Sequence, residues 1–320
     1  MIAVDVMGGD RAPGVIVQGA VRAAQKVPVL LVGPEREIRE LLYQIDPGWE
    51  ARNISVCDAP QVIDMGEEPV AAVRKKGASS LVKAVSCVKE GKAVAVLSAG
   101  NSGALMVAAT FILGREESLE RPAIAGFFPS TTERKALVLD LGANTECRAH
   151  HLEQFAHHGS AYVSTVLGIE RPSVALLANG TENTKGSLLT KEAFALLQKS
   201  SLNFLGNAEP FDVFQGCADV VVCDGFAGNV LLKTMEASFE LFAHIMQKQI
   251  EKEPVTSVWK SQLQLWSEYF LQDAFYCLGH RKYGGALLLG VKGNVMVCHG
   301  NSDAQTIENA ILFAWKSFSV

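Results

Sequence analysis

The chain has 320 residues, 48% hydrophobic and 20% charged, with a net charge of −5: enough apolar material for a large core and too few charges for a disordered chain. It has no long basic run, which argues against a nucleic-acid binder, and no apolar run approaches the roughly 18 residues needed to cross a bilayer. The start, Met1-Ile-Ala-Val-Asp-Val-Met7, lacks a positive region before its apolar stretch, so it reads as a buried strand rather than a signal peptide, and a cytoplasmic location is expected.

Short β-type apolar runs recur at Ile2 to Val6, Val29 to Val32, Ala93 to Leu97, Ala136 to Leu139, Val174 to Leu177, Val220 to Cys223 and Val295 to Cys298. Most are followed by a Gly-rich turn and then a helical stretch, which predicts a three-layer α/β/α fold with a mostly parallel sheet. With no convincing linker, residues 1–320 read as a single α/β catalytic domain. The segment from Asn229 to Leu278 breaks the alternation. Leu232, Met235, Phe239, Phe242, Met246 and Ile250 mark one apolar helix face, Pro254 ends it, and Trp259, Leu263, Trp266 and Phe270 mark a second. Residues 229–278 are thus expected to form a helical hairpin, packed on its own core, on a second subunit, or against a membrane or lipid-bearing partner.

Ligands of such sheets bind beyond the carboxyl ends of the strands, so the turns carry the functional signal. The most informative one joins the run ending at Ser98 to an Ala-rich helix through Gly100-Asn101-Ser102-Gly103. Glycines let backbone approach a ligand, and the free N–H groups and positive end of the helix attract an anion such as phosphate. Asn101 or Ser102 acting only as a helix cap is the competing reading. Similar turns occur at Gly8-Gly9-Asp10, at Asp140-Leu-Gly-Ala-Asn144 and at Asp224-Gly225-Phe-Ala-Gly228-Asn229, and together they predict one shared site on one edge of the sheet. His299 also ends a strand before a helix and is placed to reach that site.

Other motifs fail. Gly180-Thr-Glu-Asn-Thr-Lys185-Gly186-Ser187 has the parts of a nucleotide-binding loop with Lys and the second Gly exchanged, and Gly100-Asn-Ser102-Gly-Ala104 lacks the final glycine of a nucleophile elbow. His150-His151 and His157-His158 lie seven residues apart rather than at the i, i+4 spacing of a helical chelate, so no metal is expected. The seven cysteines contain no Cys-x-x-Cys pair and read as small buried hydrophobes in a reducing compartment.

Taken in order, Val4-Asp-Val-Met-Gly-Gly-Asp-Arg-Ala-Pro13, Ser98-Ala-Gly-Asn-Ser-Gly-Ala104, Arg121-Pro122, Leu139-Asp-Leu-Gly-Ala-Asn144, Lys185-Gly186, Asn203-Phe-Leu-Gly-Asn207, Val222-Cys-Asp-Gly-Phe-Ala-Gly-Asn-Val230, Tyr283-Gly-Gly285, Leu289-Gly-Val-Lys-Gly293 and His299-Gly300 resemble the bacterial phosphate acyltransferases of the PlsX family over essentially the whole chain. The chain departs from the family pattern at Arg11, where His is usual, at Ala178 and Thr181, and at Leu287. The resemblance implies a fold similar to the phosphotransacetylases and the isocitrate and isopropylmalate dehydrogenases. It also implies a homodimer acting peripherally at the membrane that makes acyl phosphate for phospholipid synthesis from acyl carrier protein thioester and inorganic phosphate, with no cofactor; the Trp259 and Trp266 face makes 254–271 the candidate membrane contact.

Under that reading Gly8, Gly9, Asp10, Ser98, Gly100, Asn101, Ser102, Gly103, Asn144, Asp224, Gly225, Gly228 and His299 form the phosphate and substrate site, the aspartates organising it rather than facing the anion. Lys185 and Asn229 are the candidates for polarising the carbonyl, against the alternatives of a loop lysine in solvent and a helix cap. Two rival readings remain: a phosphotransacetylase-like enzyme using acyl-coenzyme A, and a non-catalytic lipid-binding scaffold.

Overall fold

The computed structural model describes residues 1–132, 134–252, 262 and 284–319. The most apolar runs become strands buried at every position: β1 (Ile2–Asp5), β2 (Val29–Gly33), β4 (Ala95–Ser98), β6 (Ala136–Leu139) and β9 (Val220–Val222). β7 (Ser173–Leu177) and β11 (Asn294–Val297) match the other expected runs. Strands β3 (Ile54–Asp58), β5 (Ala123–Phe128), β8 (Asn203–Ala208) and β10 (Ala286–Leu289) were not marked by the apolar pattern. β3 and β8 are half-exposed edge strands, while β5 and β10 are antiparallel strands that carry or follow glycine.

Among the described residues, eleven strands form one sheet in the order β3-β2-β1-β4-β11-β10-β5-β6-β9-β7-β8. Strands β3, β2, β1, β4 and β11 are mutually parallel, as are β6, β9, β7 and β8. Between the two sets, β11/β10, β10/β5 and β5/β6 are all antiparallel. Three reversals make the two parallel sets run in opposite directions. This corrects the expectation of one shared edge: the turns after β1, β4 and β11 open at one edge of the sheet, and those after β6 and β9 at the other.

Helices cover both faces of each set, so the fold is the expected α/β/α sandwich. On the first set, α1 (Gly14–Ala23), α2 (Glu35–Ile45) and α10 (Ala304–Phe318) bury Ile16, Leu42 and Ile307 on one face, and α3 (Pro69–Lys75), α4 (Ser80–Lys89) and α5 (Ser102–Ile112) bury Val73, Leu81 and Leu105 on the other. On the second set, α6 (Ala149–Leu167) and α7 (Leu188–Leu197) bury Phe155 and Leu197, opposite α8 (Pro210–Phe214) and α9 (Gly225–Lys252) with Val213 and Leu231.

The long helix α9 begins at Gly225, four residues before the expected start, because the Asp224 carboxylate accepts the Ala227 N–H at 2.8 Å and caps it. The Trp259, Leu263, Trp266 and Phe270 stripe expected to form the hairpin's second helix lies outside the described residues. No helix among the described residues is long and apolar enough to cross a membrane.

Candidate active site

At the first edge, β1, β4 and β11 deliver three turns to one point. Asp5, the last residue of β1, is 2% exposed, and its Oδ2 accepts the Ser98 hydroxyl at 2.6 Å. Ser98 Oγ in turn accepts the Gly100 N–H at 3.1 Å. Gly8 closes over this pair so tightly that a Cβ there would stand 2.6 Å from Gly100 N and 2.7 Å from Asp5 Oδ2. Burial raises the Asp5 carboxyl above its ordinary range, against hydrogen bonds from Ser80, Ser98 and the Met7 backbone. Asp10 donates its N–H to Gly300 O at 2.8 Å, which ties the β1 turn to the β11 turn. Gly9, with φ of +119°, supports that crossing.

The Asn101 side chain, expected to hold phosphate, is committed elsewhere. Its Oδ1 caps α5 by accepting Ala104 N–H at 3.0 Å, and its Nδ2 donates to the carbonyls of Met65 at 3.1 Å and Glu67 at 3.0 Å. Asn101 therefore holds the loop carrying Met65 across the turn. The N–H groups of Ser102 and Gly103 sit in the first turn of α5, where a helix supplies no acceptor, and the Ser102 side chain is exposed beside them. Gly103 also serves packing, since a Cβ there would lie 2.7 Å from Pro69 Cγ.

At the opposite edge the fully buried Asp140 organises the β6 turn. Its Oδ1 accepts from Ile124 N at 3.0 Å, Gly142 N at 3.1 Å and Ala143 N at 2.9 Å, and its Oδ2 from Asn144 N at 2.7 Å and Asn144 Nδ2 at 2.9 Å. Burial pushes this carboxyl up, against those donors. The Asn144 amide, another expected phosphate contact, also donates to Pro122 O at 2.8 Å and is structural. Gly225 and Gly228 let α9 dock on this turn: Cβ atoms would stand 2.6 Å from Asn144 O and 1.9 Å from Asp140 O. Asn229 follows on α9, its side chain against Gly142, whose φ is +134°.

A cavity of about 290 Å³ joins the two edges on the sheet face between α5 and α9. Its polar end carries Gly100, Ser102, His299 and Lys233, with Lys233 Nζ 3.0 Å from His299 Nε2 and 2.9 Å from Glu236 Oε2. Its walls are otherwise mainly apolar, including Ile124, Gly126, Phe128, Leu141, Leu232 and Met235, and Asn229 faces it from the opposite edge. His299 and Ser102, two of the residues singled out in the sequence, thus both line this cavity.

Lys185 is exposed in the loop between β7 and α7, against Gly180, and is not among the residues lining this cavity. The lysine that does line it, Lys233, was missed. Its signal was the one-turn spacing Asn229, Leu232, Lys233, which places all three on one side of α9. Cys298, at the cavity wall, is buried and its thiol is pushed up to about 12, so it offers no thiolate at neutral pH.

His150, His151 and Glu120 come together despite the unpromising spacing, because Glu120 arrives from the loop before β5; their donor atoms lie within 4.8 Å of one another. His151 Nδ1 accepts the Arg148 N–H at 3.1 Å, which puts its proton on Nε2, facing Glu120 Oε2 at 3.2 Å. In that tautomer His151 donates a hydrogen bond instead of a metal-binding lone pair. The second pair behaves separately, His158 meeting Glu116 at 3.2 Å.

The family described as "Fatty acid synthesis protein" matches residues 1–319. The chain is 43% identical over 320 residues to a phosphate acyltransferase of Trichlorobacter lovleyi, covering 98% of this chain and 89% of that one. It is 44% identical to phosphate acyltransferases of Pelotomaculum thermopropionicum, over 99% and 91% of the two chains, and of Brevibacillus brevis, over 98% and 92%. Among solved structures, the EutD phosphotransacetylase from Staphylococcus aureus superposes with a TM-score of 0.61 at 16% identity, over 99% of this chain and 93% of that one. A branched-chain phosphotransacylase from Enterococcus faecalis V583 gives 0.61 at 15% identity, over 99% of both. These distant structures bear out the fold, and the close relatives establish that this chain belongs to the fatty acid synthesis protein family of phosphate acyltransferases and is an acyltransferase.

Proposed function

We propose that the protein moves a fatty acyl group from the thioester of acyl carrier protein to inorganic phosphate, giving acyl phosphate for phospholipid synthesis. The observation that carries this reading is the cavity itself, which has an anion-attracting end built from the α5 N-terminus, Ser102 and Lys233, continuous with an apolar wall suited to a hydrocarbon chain. A phosphate oxygen attacks the thioester carbonyl, the C–O bond forms, the C–S bond breaks, and the proton of hydrogen phosphate ends on the departing thiol. Phosphate is already a nucleophile at neutral pH, and a thiol of pKa about 8.5 leaves without strong acid help.

The protein's work is then orientation and charge stabilisation. In this scheme Ser102 and the first-turn N–H groups of α5 hold phosphate, and Lys233 balances its charge. Asn229 supplies an amide toward the carbonyl, while Lys185 is a second candidate for that role only if its loop closes on the bound thioester. A homodimer with a peripheral membrane contact through 254–271 belongs to the same proposal. Leu241, Phe242 and Ile245 support it by leaving α9 exposed and apolar on the way to that segment.

The test is thioester consumption with and without inorganic phosphate, using acyl carrier protein and coenzyme A as alternative thiol carriers. Phosphate-dependent release of thiol from the carrier protein is expected. Preference for coenzyme A would reassign the donor, and lipid binding without turnover would support the scaffold reading.

A further inference from the structure

One transverse row of the sheet runs along the cavity floor, flanked on β5 by Ile124 and Phe128. Val297 pairs with Ser98, Ala286 pairs with Val297, and the pairing of Leu287 with Ala125 sets Ala286 opposite Gly126, which in turn pairs with Val138. Residues in one such row point to the same face, so the floor leads from Val297 on β11, next to the buried Ser98, across Ala286 on β10 to Gly126 on β5. Two inter-strand spacings, about 10 Å, separate Val297 from Gly126, and a third reaches Ser98.

Its far half is floored by Gly126 and Ala286, two of the smallest side chains, in central strands where bulky β-branched residues are the rule. A glycine inside a strand costs stability and marks a close approach. A Cβ on Gly126 would stand 2.8 Å from Leu141 Cδ1, and Leu141 itself lines the cavity, so any side chain added there must displace the end of Leu141 and reshape this part of the wall. From above, Leu232 and Met235 of α9 close the same stretch.

We propose that Gly126 and Ala286 are specificity-determining residues that set the length of acyl chain this enzyme accepts, the chain lying along the floor with its carbonyl toward Ser102 and its methyl end beyond Gly126. This rests on the acyl-transfer reading above. Filling the floor shortens the path, and each methylene that no longer fits loses its burial, a factor of about four in kcat/KM.

The experiment compares the full-length parent with Gly126→Ala, Gly126→Val and Ala286→Val, using acyl carrier protein thioesters of increasing chain length at saturating phosphate. The expected result is an optimum that moves to shorter chains, further for Gly126→Val than for Gly126→Ala, with the longest thioesters losing most and the KM for phosphate unmoved. A profile that keeps the parental optimum while every chain length falls by the same factor overturns the proposal. Should Gly126→Val fail to fold, the milder Gly126→Ala and Ala286→Val carry the same comparison. Displacement of a fluorescent fatty acid by free fatty acids of graded length separates this proposal from the reaction. Chain-length-selective binding that shifts in Gly126→Ala retains the floor even if no thioester is turned over, and binding indifferent to the substitutions sinks it.

Discussion

Asn101 joins two structural jobs, and its replacement separates them. Alanine removes the cap on α5, worth about 1 kcal/mol. It also removes the amide that holds the Met65 and Glu67 carbonyls at 3.1 and 3.0 Å, each such bond contributing about 1 kcal/mol net. A loss of about 2–3 kcal/mol follows, equivalent to a fall in Tm of about 4 °C for a chain of this size. Aspartate, nearly the same shape, keeps the Oδ1 that accepts Ala104 N–H but turns a second oxygen on the two carbonyls and sets a negative charge beside the phosphate end. The assay is thermal unfolding together with initial rates against phosphate concentration. Asn101→Ala should lower Tm and weaken both substrates modestly through the released loop, whereas Asn101→Asp should raise the KM for phosphate at least about tenfold, an electrostatic cost of some 1.4 kcal/mol. An Asn101→Asp enzyme with parental phosphate KM would refute phosphate binding at this turn, and an Asn101→Ala protein with parental Tm would refute the loop tie.

Ser102→Ala should raise the KM for phosphate severalfold while turnover persists, and mass spectrometry of the parent during turnover should find no acyl group on Ser102. Lys233→Met should cost on the order of 10²-fold in kcat/KM, the usual loss for one preorganised charge, and more than Lys185→Ala measured beside it; the reverse ranking would return the role to Lys185. For Asp5, burial holds the folded-state carboxyl above its ordinary 3.8, so the folded protein binds that proton more tightly than the unfolded chain. Stability should therefore fall as pH rises from about 4 through the raised value, and Asp5→Asn should remove that component of the fall. Denaturant midpoints of parent and variant across the range, parallel at every pH, would show that Asp5 does not carry it.

The sequence marked strands wherever both faces of the sheet are covered, because double burial demands unbroken apolar runs such as Val29 to Val32 and Ala136 to Leu139. It was silent where that demand lapses. β3 and β8 lie at the sheet's edges, so Ser55 and Leu205 face solvent, while β5 contains Gly126 and β10 directly follows Gly284 and Gly285. Missing β5 and β10 had a consequence beyond two strands, since these are the antiparallel pieces that reverse the second half of the sheet. Counting only parallel runs therefore gathered all the turns on one edge, when the structure divides them between two. The Gly/Asn/Asp turns were visible as turns, but whether an amide faces a ligand or its own backbone depends on partners far away in sequence. Asn101 finds Met65 and Glu67, and Asn144 finds Pro122, and neither pairing has a local signature.

The division of the turns between two edges gives α9 a role that a helix in an ordinary parallel sheet would not have. It starts at the Asp140 turn, where Gly228 admits it to within contact of the Asp140 carbonyl, and climbs about 6 Å over the four residues from Asn229 to Lys233. One turn of one helix thus places an amide near one edge and an ammonium at His299 near the other. A displacement between two bound substrates needs that span more than it needs a nucleophile. Among the described residues at this end of the cavity, the hydroxyl and thiol candidates for one are accounted for: the Cys298 thiol is held protonated by burial, the Ser98 proton is directed to Asp5, and Ser102 has no base bonded to it. With phosphate as the attacking group, the requirement is two reactants held at a fixed separation, and a rigid helix docked through glycines at one end and paired with His299 at the other meets it.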